Sequence, residues 1–241
     1  HGDINGITEN LDYFTNLGID CLWLTPVFES PSYHKYDVSD YYKIDPLFGT
    51  NEDFKNLLDE TEEQGIKVLM DLVVNHTSKQ HPWFESNPEY YRFIEGGIPH
   101  YKYEDWHKQG SLYYYGSFWD QMPDLNLDNP DVRNEIFEIA TYWIDQGVDG
   151  YRLDAAKHYF DVNEYPIGTQ VSRQNIIFLK ELNYHVKQAD PDAILLTEVW
   201  TDASVVAKYY EGADSSFNFD LSDSIIETIN QGSDNSSIDL V

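Results

Sequence analysis

Residues 129–154 read NPDVRNEIFEIATYWIDQGVDGYRLD. Asn129 is a good helix cap and Pro130 suits a first helical position, so a helix is predicted over 130–146, closed by Gly147. Val148 to Asp154 then predicts a strand, and its last residues are charged. This helix, glycine and strand ending in Arg152-Leu153-Asp154 form the unit from which the fold is read.

The same unit recurs on both sides. Upstream, Ile7, Leu11, Phe14 and Leu17 fall at helical spacing over 6–17, Gly18 stops the helix, and residues 19–25 form an apolar run ended by Pro26. Thr50 and Asp53 approximate a capping box for a helix over 50–63, with Phe54, Leu57 and Leu58 on one face and Gly65 at its end. A strand over 66–73 follows. Downstream come a helix over 172–189, a strand over 193–199, a short helix near 203–210, a strand around 216–219, a helix over 221–231 and a polar, turn-like tail. Strands alternating with helices imply right-handed crossovers and a parallel α/β sheet. A doubly wound sheet and a closed barrel both fit. Asp71, Arg152, Asp154 and Glu198 all stand at C-terminal ends of predicted strands, where barrels assemble their sites, and this favours the barrel. No GxGxxG or GxxxxGK[ST] turn suggests a nucleotide fold. From 77 to 123 the alternation lapses, and the chain is rich in Tyr, Trp, His, Gly and Pro.

Composition narrows the function. Asp plus Glu number 43 against 15 Lys plus Arg, a net charge of −28, which disfavours nucleic acid and anionic membrane surfaces as partners. With 41% hydrophobic and 15% aromatic residues the chain has the means to bury a core and is not a disordered polymer. No apolar stretch approaches the ~20 residues of a membrane span. The single cysteine, Cys21, lies in an apolar run and reads as a small core residue.

On a closed barrel the strand-end acids would converge. Converging acids raise one another's proton affinity, so one carries a proton while another stays ionised, and an adjacent arginine keeps its neighbour ionised. The two-residue spacing of Arg152 and Asp154 puts both side chains on one face of a strand. An ionised Asp beside Arg with a protonatable Glu is the equipment of a retaining glycosidase. Sugar rings stack on aromatic faces, and the stretches 33–37 (YHKYD) and 113–120 (YYYGSFWD) mix aromatic with polar residues, although most of these tyrosines read as packing.

Four separated motifs carry a resemblance. Asp71-Leu72-Val73-Val74-Asn75-His76, Met122-Pro123-Asp124-Leu125-Asn126, Gly150 to His158 (GYRLDAAKH) and Glu198-Val199-Trp200 resemble, in order and spacing, conserved regions of glycoside hydrolase family 13, the α-amylase family. The resemblance covers essentially the whole chain. It implies a (β/α)8 TIM barrel, here about strands two to six, with barrel parts over 1–76 and 124–241 and an irregular inserted domain over 77–123. It implies Asp154 as nucleophile, Glu198 as general acid/base, and Arg152 as the group that orients Asp154. Tyr36, His34 and His76 would bind the sugar on the nonreducing side of the cleavage point, and Lys157 and His158 sugars on the leaving-group side. Asp71 would support the strand end and Arg152. Asn75, Asp124 and the main-chain carbonyl of His158 would hold a structural Ca2+, an ion that favours hard oxygen ligands. No organic cofactor is implied.

The same resemblance implies cleavage of α-1,4 bonds in starch, maltodextrins or related α-glucans. Cyclomaltodextrin-degrading and transglycosylating members are the near alternatives, and a non-catalytic scaffold relative the remote one. Starch does not enter cells, so a polymer-cutting enzyme is expected to be secreted or at the cell surface. Lys35 stands where the family often has Gly, a change that would reshape the loop or add a sugar contact. The family's first, seventh and eighth strands have no counterpart here, and neither does a further catalytic Asp, since no His-Asp dipeptide occurs. A barrel takes about 250 residues without insertions, so the expectation is a piece of a longer enzyme. On that expectation the 241-residue segment alone is inactive and prone to aggregate through its open strand edges.

Overall fold

The computed structural model describes residues 2–98, 104–161 and 171–231. Along the chain run α1 (Ile4–Thr8), α2 (Leu11–Asn16), β1 (Cys21–Leu24), β2 (Phe28–Glu29), β3 (Asp40–Ile44), α3 (Asn51–Glu63), β4 (Lys67–Leu72), α4 (Pro82–Ser86), β5 (Phe93–Ile94), β6 (Trp106–Gln109) and β7 (Leu112–Tyr115). Then come α5 (Pro130–Asp145), β8 (Gly150–Leu153), α6 (Val171–Ala189), β9 (Ile194–Thr197), α7 (Ala203–Val206), β10 (Ser215–Ser216) and α8 (Phe219–Gln231). The polar tail from Gly232 lies outside the described residues.

One parallel sheet has the order β1-β4-β8-β9-β10, which is also chain order. Each new strand adds to the same edge. A doubly wound sheet would reverse that direction at a switch point, so this sheet is five consecutive strands of a barrel wall. Registers place Asp71 opposite Arg152 and Leu153 opposite Thr197, which brings the strand ends level. Gly150 makes one of these contacts possible: at φ +147°, a Cβ there would stand 2.1 Å from the Ile194 carbonyl oxygen.

The caps behave as their chemistry requires. Thr50 and Asp53 close a reciprocal capping box on α3. The Asn129 side chain accepts from the Asp131 amide, with Pro130 at the first position of α5. The buried face of α5 delivers Trp143, which packs on Phe28 and Phe54 and donates its indole N–H to the Tyr41 carbonyl at 2.8 Å. Full burial of such a side chain contributes about 1.5–3 kcal/mol.

Two expectations change. The helix over 6–17 is two short helices, because Asn10 turns its side-chain amide back onto the Gly6 carbonyl at 2.7 Å and ends the first. Leu17 is consequently exposed. Cys21, expected in the core, is exposed too in this chain. It sits on β1, an edge of the described sheet, whose burial alternates between exposed and intermediate.

The aperiodic stretch is ordered by aromatic packing. Within it β5, β7 and β6 form a small antiparallel sheet, and Phe84, Tyr91, Phe93 and Tyr114 pack ring against ring. Bridges between His76 and Asp124 and between Tyr91 and Leu125 tie it to the wall. Tyr114 and Tyr115 are buried, as packing residues should be, whereas Tyr33 is exposed. Among the described residues no helix is long and apolar enough to cross a membrane.

Candidate active site

At the C-terminal end of the wall, one guanidinium gathers three carboxylates. Arg152 ends β8 and is buried. Its Nη1 donates to Asp71 Oδ1 and Oδ2 at 2.8 and 2.9 Å and to Asp154 Oδ1 at 2.5 Å. Its Nη2 lies 2.7 Å from Glu198 Oε2. Strand geometry explains the convergence. Asp71 is the in-register neighbour of Arg152 on β4, Asp154 is two residues on along the same face, and the Glu198 amide bonds the Leu153 carbonyl at 3.0 Å, placing Glu198 just past β9. The Ala155 amide also donates to Glu198 Oε2 at 3.1 Å. Asp154 and Glu198 are thereby held on the two terminal nitrogens of the same guanidinium.

Burial sets the proton affinities here. It pushes Asp154 up to about 6; Arg152 pulls the other way and Glu198 adds to the rise. Asp71, fully buried, is pushed up to about 7 by burial, again against Arg152. Burial disfavours the Arg152 cation, but Asp71, Asp154 and Glu198 outweigh it and raise its pKa. The sequence assigned Arg152 the task of keeping Asp154 ionised. The structure adds that desolvation exceeds that pull, so Asp154 is an anion only above about pH 6.

Six of the predicted residues line one cleft of about 460 Å³: His34, Tyr36, His76, Arg152, Asp154 and Glu198. The Tyr36 hydroxyl is 3.4 Å from Asp71 Oδ2, its ring lies 6.0 Å from the guanidinium, and burial raises its pKa to about 12, so it stays protonated. Burial lowers His76 to about 3, so this imidazole is neutral. Its Nδ1 faces the Asn75 amide at 3.3 Å, and its Nε2 has no hydrogen-bond partner among the described residues. The His34 Nδ1 accepts from the Tyr36 amide at 3.1 Å.

Lys157 and His158 stand apart from this lining. Lys157 Nζ donates to the Trp200 carbonyl at 3.2 Å, beyond Glu198, and His158 pairs through Nδ1 with Asp161 while its ring meets Phe118 at 5.3 Å. Sequence reasoning missed Trp23, whose ring centre lies 5.3 Å from the Arg152 guanidinium. Its place on β1 was the available signal. Phe118 and Trp119 also line the cleft; both are exposed, and Trp119 meets the His34 ring edge-on at 6.3 Å.

Behind the cleft, buried Asp124 accepts from the Ser117 amide at 3.1 Å and the Ser117 hydroxyl at 2.8 Å. Burial raises it to about 7, and nearby Asp161 adds to the rise. Among the described residues no group of three or more His, Cys, Asp or Glu side chains is arranged to hold a metal.

Comparison with known proteins places this arrangement. The family model described as alpha amylase, catalytic domain, matches residues 1–241. The chain belongs to the α-amylase family. It is 47% identical over 235 residues to Alpha-amylase 3 of Dictyoglomus thermophilum, covering 95% of this chain and 45% of that protein. It is 40% identical over 189 residues to an oligo-1,6-glucosidase of Heyndrickxia coagulans, covering 69% of this chain and 34% of that protein. A solved structure of the α-amylase from H. orenii superposes with a TM-score of 0.83 at 39% identity, over 96% of this chain and 50% of that one. The chain thus spans half or less of the length of these α-amylase family relatives.

Proposed function

We propose that this chain carries the donor-side half of a retaining glycosidase site for α-1,4-linked glucans, starch or maltodextrins. The observation that carries the reading is the pairing of Asp154 and Glu198 with one guanidinium, that of Arg152. An inverting pair stands ~6.5–9.5 Å apart to admit a water, whereas a retaining pair stands ~5–5.5 Å apart. Two carboxyls held on the two terminal nitrogens of one guanidinium support the closer spacing.

The roles follow from the surroundings. An ionised Asp154 oxygen attacks the anomeric carbon while Glu198 gives its proton to the departing glycosidic oxygen. The Glu198 carboxylate then takes a proton from water, which attacks the glycosyl–Asp154 ester and releases the sugar with its configuration kept. Arg152 directs Asp154 and offsets charge as it forms. Tyr36 and Trp119 offer ring faces to apolar sugar surfaces, and the neutral His76 has an Nε2 free to donate to a hydroxyl. The test is proton NMR of maltooligosaccharide digests by the full-length protein. The first product is expected to carry the α-anomer at its new reducing end; β-anomer first overturns the retaining reading. Products longer than the substrate would assign transglycosylation.

We also propose a structural Ca2+ held by Asn75 and Asp124 with the His158 carbonyl. The donors are hard oxygens, and no Lys or Arg pairs with buried Asp124 among the described residues. The carbonyl of His158 accepts the Asp161 amide at 3.0 Å, which puts a second carboxylate beside the set. The ion would link the wall to the 77–123 segment and take no part in bond breaking. At 100-fold excess over its Kd a ligand contributes about 2.7 kcal/mol. Chelation is therefore expected to lower Tm by on the order of 5–10 °C, with recovery on adding Ca2+ but not Mg2+. An unchanged Tm overturns this.

A further inference from the structure

Lys35 stands between the cleft residues His34 and Tyr36, yet it does not face the cleft. Its side chain is 4% exposed, and Nζ lies 2.7 Å from Asp45 Oδ2 and 2.9 Å from the Ser30 carbonyl oxygen. The expectation of a sugar contact is thereby replaced by one of loop shape. The backbone at Lys35 has φ +66°, a left-handed conformation that side chains disfavour.

Two unfavourable features thus coincide in one residue. A left-handed backbone at a residue other than Gly persists only where the surroundings over-determine it. A buried ion pair is weak evidence for stability, because desolvating both charges offsets their attraction. Gly at this position would remove the strain, and two apolar residues would remove the desolvation. What the pair does supply is a fixed geometry. Asp45 Oδ2 also accepts from the Ser30 amide at 3.1 Å and Oδ1 from the Leu47 amide at 2.9 Å, so one carboxylate clamps the loop start, Lys35 and the turn after β3. Burial opposes ionisation of Asp45, yet Lys35 and the two amides outweigh it and hold its pKa below the usual value. Ser30 Oγ adds a 2.8 Å bond to Asp37, closing the loop on its far side. Among the loop residues that this clamp leaves lining the cleft is Tyr36, held against Asp71 and Arg152.

We propose that Lys35 is a positioning residue: its buried pair with Asp45 locks residues 30–37 in the conformation that sets the Tyr36 ring beside Arg152, and so fixes the sugar at the cleavage point. This rests on Tyr36 binding that sugar, as argued above.

The test is a mutant cycle in the full-length protein, assayed on an aryl maltooligoside well below Tm. Lys35→Met with Asp45→Asn removes both charges together and leaves no unpaired buried ion. Misplacement by 1 Å costs on the order of 100-fold, and this double variant is expected to lose about 10- to 100-fold in kcat/KM, mostly in kcat. Lys35→Arg is expected to restore activity to within a few fold. Adding Tyr36→Ala to the double variant is expected to cost little beyond Tyr36→Ala alone, because the two changes act through one ring. Full multiplication of the two losses, or a Tm drop with kcat intact, overturns the proposal while leaving the glycosidase reading in place. A wild-type protein inactive on every maltooligoside overturns both.

Discussion

Asp154→Asn in the full-length protein is expected to lower kcat on maltooligosaccharides by on the order of 10^4- to 10^6-fold, the scale of removing a nucleophile from an otherwise intact site. The amide is nearly isosteric with the carboxylate and keeps an oxygen for Arg152, so folding and binding should survive. What disappears is the anion proposed to attack carbon. The same anion sets the acid side of the pH profile. Its carboxyl is raised to about 6 by burial, with Arg152 opposing. A nucleophile must be ionised, so kcat/KM is expected to fall as pH drops through about 6, tenfold per pH unit below it. Weakening the opposing cation moves the limb upward: Arg152→Gln should shift it to higher pH, besides its direct cost. Residual activity of Asp154→Asn near wild type would remove Asp154 from this role, and a profile flat from pH 7 to pH 4 would overturn the upward shift of its pKa.

Glu198→Gln is expected to lower kcat on the same substrates by about 10^2- to 10^4-fold, the usual worth of a general acid or base. The discriminating readout is leaving-group dependence. A sugar leaving group needs its oxygen protonated, and glutamine has no proton to give. A fluoride or dinitrophenyl leaving group departs without one, so glycosylation of Asp154 should be largely spared and the glycosyl intermediate should accumulate as a burst. Equal losses on both classes of substrate would assign Glu198 a structural part. Its bonds to Arg152 and the Ala155 amide make that alternative concrete, and intact Tm in the glutamine variant separates the two.

Arg152, Asp154, Asp71 and Glu198 were legible because a parallel strand delivers its last residues to one end of the sheet whatever its neighbours are. The in-register pairing of Asp71 with Arg152 only completes what alternation implies. The caps at Thr50 and Asn129 were legible because they act within three residues. Cys21 departs from expectation because an apolar run does not say which neighbours its strand has, and β1 stands at an edge of the described sheet. Lys157 and His158 belong to the same motif as Asp154 but turn to Trp200 and Asp161, partners distant in sequence or on the far side of a turn. Trp23 was read only as a strand residue, since nothing local says that a guanidinium from β8 will lie on its ring.

By itself the sequence determined the alternation of strands and helices, the strand ends on which the acids stand and the family to which the chain belongs, because these depend on local spacing and short motifs. Tertiary structure decided everything that depends on desolvation and on partners far along the chain. It put one guanidinium among three carboxylates, drove Asp154 and Asp71 upward in proton affinity by burying them, and turned Lys35 inward to Asp45. The physical reason is that burial and ion pairing are properties of the packed environment, and no residue carries that environment in its own neighbours along the chain.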